Sequence, residues 1–181
     1  HPTRLGPVAR PDRMLEDHLV VFSLEPWDDV WRSNQFLERE LTGLHPAGHG
    51  VHENARYLGP EHPLLAERLH ASGYDTAAFV SSFVLARRFG LARGFAHYDD
   101  DLPAGRSERS ARETTDRALA WLDRTSGPRF LWVHYFDPHA PYEAPAEAMA
   151  GAASPYDGEV AFVDAQLGRL LRRVAEEEKG S

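Results

Sequence analysis

Apolar and polar positions fall in blocks along this chain, and the blocks predict a β-α-β-α-β-α order. LVVFS at residues 19–23 is a short run of β-favouring residues, the pattern of a buried strand. Pro26, Asp28 and Asp29 then open a helix-like stretch to about Leu41, because proline and acids suit a first helical turn. Residues 42–60 carry many glycines and prolines and predict loop. Pro63 starts a helix with Leu65 and Leu69 on one face, and Gly73 stops it. TAAFV at 76–80 is a second strand, and 83–89 is a short helix or turn ending at Gly90. Residues 107–124 predict a helix with Thr115, Leu119 and Leu122 on one face, and 130–135 a third strand. The clearest helix is 159–174, where Val160, Val163, Leu167, Leu170, Leu171 and Val174 form one stripe. Strands joined by helical crossovers make a mainly parallel sheet flanked by helices, an α/β fold.

The 181 residues suffice for one domain with a real core, and neither a repeat nor a second domain stands out. The expected division is a disordered Pro/Arg-rich segment at 1–17, a single α/β domain at 18–175 and a solvated tail at 176–181. The chain opens at His1 rather than Met, which reads as processing or a fragment. A formal net charge of -8 with no basic stripe argues against a nucleic-acid partner. No apolar run approaches the roughly 18 residues of a membrane span. The absence of cysteine removes disulfides and thiolate metal sites.

Candidate chemistry concentrates in RFLWVHYFDPHAPY, residues 129–142. The strand pattern gives way to Asp137 and His139, which lie between Pro138 and Pro141, so both are displayed stiffly past a strand end. Ligands of open α/β sheets bind at such ends. Two readings stand: a turn with a solvated histidine, or an imidazole that contacts an anion, an ester oxygen or a metal. His45, His49 and His52 have zinc-like spacing, but Pro46, Gly48 and Gly50 oppose the helix that would align them, so a turn-rich loop is the better reading. Asp99, Asp100 and Asp101 read as a solvated acidic turn rather than a cation site. Ser33 has no G-x-S-x-G elbow around it, and no Gly-rich phosphate loop occurs.

Five collinear segments carry a resemblance. LTGLHPAGHGV (41–51), HPLLAERLHASGYDTAAFVSSFVL (62–85), RFGLARGFAHYDDDLP (88–103), RFLWVHYFDPHAPYEAP (129–145) and SPYDGEVAFVDAQLGRLL (154–171) run in order. Together they resemble the sulfatase family of the alkaline-phosphatase-like superfamily over about residues 41–173. The resemblance implies a partial sulfatase domain that hydrolyses sulfuric or phosphoric esters, on a small molecule or a glycan. It implies a divalent metal, calcium by the family's habit, and a formylglycine nucleophile. Carried over by position, His139 contacts the ester or its leaving oxygen, and Asp137 and His49 lie on the substrate side. Counting back from Thr42 and Gly43 puts Ser33 at the nucleophile position and Asp28 and Asp29 nearest the metal position. Gln35 and Leu37 stand where the family has Pro and Arg, and Leu24 and Glu25 where it has its first Asp pair. The later metal-binding segment is not in the chain. The expectation is therefore an incomplete catalytic domain with weak or no activity alone, or else a non-catalytic binding domain of sulfatase ancestry. Residues 18–41, HLVVFSLEPWDDVWRSNQFLEREL, resemble instead the N-terminus of a group 1 glycosyltransferase, which implies a join of two pieces near 40–42.

Overall fold

Among the described residues of this computed structural model, four parallel strands form a sheet in the order β1-β4-β2-β3. The structure describes residues 19–24, 41–44, 48 and 55–180, with 19–24 and 177–180 by backbone alone. The strands are β1 (Leu19–Leu24), β2 (Asp75–Val80), β3 (His97–Asp99) and β4 (Arg129–Tyr135). The helices that bear on the site, among the described residues, are α1 (Leu65–Ala71), α2 (Ala111–Leu122), the single turn α3 (Ala146–Met149) and α4 (Pro155–Gly180).

Strand β4 is inner, between β1 and β2, and all seven of its residues are buried. Its side chains alternate between two cores, as the pleat requires. Phe130 and Trp132 join Leu64, Ala66, Tyr74 and Leu91 on the α1 face. Leu131, Val133 and Tyr135 join Trp121 and Leu122 of α2 and Phe162, Val163 and Leu170 of α4 on the other. Coverage on both faces explains why β4 reads as a continuous apolar run.

Two glycines are required where the chain turns beneath these layers. Gly90 has φ +86 and Gly94 has φ +79, both in the left-handed region. A Cβ on Gly94 would lie 2.1 Å from the Glu67 nitrogen, so the backbone passes α1 too closely for any side chain.

Two expected boundaries and one buried face shift, each for a physical reason. Helix α2 begins at Ala111 rather than 107, because the Ser110 hydroxyl accepts the Glu113 amide at 3.3 Å and caps it. The residues before it pair instead with the segment just after β2: Phe83 N donates to Ser107 O at 2.8 Å and Arg109 N to Ser81 O at 3.0 Å. Helix α4 begins at Pro155, one residue after Ser154, whose hydroxyl accepts the Asp157 amide at 3.2 Å. Its buried line is Glu159, Phe162, Val163, Gln166 and Leu170, while Val160 and Leu171 are 42% and 48% exposed. The stripe drawn through Val160 and Leu171 is thus rotated, since two polar residues take places on the inner face.

Strand β3 and its acids overturn another expectation. The segment 97–99 pairs with 77–79 of β2, and Asp99 is buried rather than solvated. Its carboxylate meets Arg109 and, at 3.1 Å, Arg117. Asp100 takes Arg87, so of the three acids only Asp101 is exposed.

Candidate active site at the carboxyl end of the sheet

Because the strands are parallel, their carboxyl ends share one edge, and the loop after β4 leaves from the middle of it. A cavity of about 420 Å³ opens there. Its lining includes Arg106, Glu108, Arg109, Asp137, His139 and Glu159.

His139 is half-buried, and its ring stacks on Phe136 with centroids 4.1 Å apart and 28° between planes. Its backbone N–H donates to Glu159 Oε2 at 3.0 Å, and the Glu143 N–H donates to Glu159 Oε1 at 2.6 Å. One carboxylate from α4 therefore closes the turn that carries His139. Burial pushes the Glu159 carboxyl above its ordinary value; the two amide donors oppose that push, and the charge of Asp137 adds to it.

Asp137 ties the same loop to α2. Its Oδ2 accepts the Ala111 amide at 2.8 Å, at the helix N-terminus, where an anion is favoured. Burial raises this carboxyl too, against the pull of the Ala111 amide. The loop is thus held from α2 at Asp137 and from α4 at His139 and Glu143.

A buried polar array supports the edge beside it. The Ser81 hydroxyl donates to His134 O at 2.8 Å and lies 2.6 Å from Thr114 Oγ1. Arg109 Nε donates to Thr114 Oγ1 at 3.1 Å, which connects the array to the Asp99 pair. Burial alone would raise the Asp99 carboxyl, but Arg109 and Arg117 outweigh it and hold the group below its ordinary 3.8.

Of the residues singled out by sequence, the structure brings Asp137 and His139 to one cavity. Asp28, Asp29, Ser33 and His49 lie outside the described residues. Glu159 and Arg109 were not anticipated, and Asp99 was expected in a solvated turn. For Glu159 a signal existed: it stands four, seven and eleven positions before Val163, Gln166 and Leu170, so helical spacing puts it on the inner face.

The acids of the described residues do not fit a metal centre. No group of three or more His, Asp or Glu among them is arranged to hold an ion. Asp137 and Glu159 accept backbone amides, and Glu113 and Asp99 face arginines.

The parallel sheet, with a polar loop at its carboxyl edge and helices on both faces, is the fold of alkaline-phosphatase-like proteins. Three of the solved structures that share it illustrate the likeness. A putative sulfatase, YidJ, from Bacteroides fragilis aligns with a TM-score of 0.62 at 14% identity, covering 92% of this chain and 53% of that one. The phosphonate monoester hydrolase of Agrobacterium radiobacter gives 0.60 at 16%, covering 91% and 54%. Ps i-CgsB in complex with k-i-k-neocarrahexaose gives 0.66 at 17%, covering 92% and 49%. The chain spans about half the length of these three structures. Comparison with curated protein sequences gives no significant match.

The sulfatase family model matches residues 33–180, and the chain belongs to that family. The match runs across residues 40–42, so sulfatase likeness lies on both sides of the join expected there. Members of the family are hydrolases that generally depend on a divalent metal.

Proposed function

We propose that this chain forms the substrate side of a sulfuric- or phosphoric-ester hydrolase site, with His139 contacting the ester or its leaving oxygen. The observation that carries the reading is the place of His139. It stands past the end of an inner parallel strand, half-buried on a cavity of about 420 Å³ and held from two helices. An imidazole so placed can donate to an oxygen that gains charge as the ester bond breaks. Asp137 steadies the loop from its base on the substrate side.

The same reading gives Ser33 the nucleophile position, His49 a place beside the substrate, and Asp28 and Asp29 the metal, taken as Ca2+. The described residues do not form a site for that ion. Acids outnumber free cations around the cavity, since Arg109 is already paired with Asp99. A sulfate therefore meets mostly negative groups, and the chain by itself should turn esters over slowly or not at all. The substrate class in this reading is a sulfate or phosphate ester of a small molecule or a glycan.

The test is 4-nitrophenyl sulfate with the whole chain. Binding that weakens about tenfold in His139→Ala supports the contact, since one charge-assisted hydrogen bond is worth about that factor. Equal binding by the variant overturns it. Turnover at ordinary enzyme rates, about 1–10³ s⁻¹, would contradict the expectation of weak activity.

A further inference from the structure

We propose that Glu159 is a positioning residue, the group that sets the His139 imidazole toward the cavity. The inference deepens the reading of His139 as the ester contact and rests on it for its functional meaning.

A carboxylate buried to 4% exposure on a packed helix is costly unless its oxygens are satisfied. Glu159 satisfies both from one turn, taking the His139 amide on Oε2 and the Glu143 amide on Oε1. The two amides lie four residues apart, on either side of Pro141, so one carboxylate of α4 holds the turn at both ends. Gripping both ends fixes the φ and ψ at which His139 leaves the loop. The ring is then left against Phe136 at 4.1 Å. Asp137 fixes the preceding residues from α2, so the turn cannot rotate as a unit. Glutamine would not serve: its single oxygen takes one amide and its NH₂ faces the other, donor against donor.

The test reads the His139 ring protons by NMR in the whole chain, the signals being identified by their loss in His139→Ala. Stacking on Phe136 shifts them upfield. In Glu159→Gln they should move downfield, toward the unstacked position, and inorganic sulfate should bind about tenfold more weakly. Leu170→Ala, on the same helix but away from the loop, should lower the melting temperature and leave the His139 signals in place. If Glu159→Gln does not fold, Glu159→Asp gives the same readout, since it is one methylene too short to hold both amides. The proposal is overturned if the signals stay at their wild-type positions in the Glu159 variants, or if Leu170→Ala moves them as far. Sulfate added to the wild type judges the ester contact separately. If His139 does not respond, that contact falls, while the stacking readout still decides the role of Glu159.

Discussion

Arg109 and Asp99 form an ion pair in which the arginine side chain has no exposure and the aspartate 9%. The pair joins β3 to the segment before α2 and backs the cavity that holds His139. Removing one partner leaves a buried charge uncompensated. Asp99→Ala should cost about 3–5 kcal/mol, measured by urea unfolding. A loss under about 1 kcal/mol would show that Arg109 finds other partners.

Acid stability should follow from three carboxyls with opposite shifts. Asp99 is held below 3.8, so its contribution is present above its unfolded value and lost as pH falls through the lower folded value. Asp137 and Glu159 are raised by burial, so their contribution is full below their ordinary values of 3.8 and 4.5 and is lost as pH rises through the folded values. Mild acidification from neutrality should therefore raise the melting temperature before stronger acid lowers it. In Glu159→Gln the rise should shrink. A melting temperature that only falls from pH 7 downward contradicts this.

Gly94→Ala should destabilise by at least about 2 kcal/mol, from the left-handed φ and the close approach to Glu67 together. Thermal melts of the variant against the parent give the comparison. A neutral effect would mean that α1 can move away from residue 94 at little cost.

The face of α4 can be checked by paired substitutions. Phe162→Ala and Leu170→Ala should each cost about 2–5 kcal/mol. Val160→Thr and Leu171→Gln, on exposed positions, should stay within about 0.5 kcal/mol. The reverse ranking would restore the stripe that sequence spacing alone suggests.

Much of the scaffold was legible because apolar burial leaves a periodic trace. Strand β4, its polar loop and the helix after Pro63 all follow from runs and breakers. Strand β3 was not, because three residues with one apolar side chain, Tyr98, make no run. The inner face of α4 was misplaced because Glu159 and Gln166 are buried polar residues. Their partners include amides 16 and 20 residues away, for Glu159, and Arg169 for Gln166. Such burial depends on the folded loop, and a hydropathy pattern does not contain it. Asp99 was read as solvated for the same reason: Arg109 and Arg117, 10 and 18 residues on, reach it only once β2, β3 and α2 assemble. His139, by contrast, was visible both as a stiff display between prolines and through the family motif.

The most direct measurement is an NMR titration of the wild-type chain with inorganic sulfate, following the ring protons of His139. The proposed contact predicts a saturable shift of those signals that sodium chloride at equal ionic strength does not reproduce, with His70 and His97, which do not line the cavity, unmoved. Signals of His139 that stay fixed, or that move equally with chloride, would contradict the assignment of this loop to ester binding.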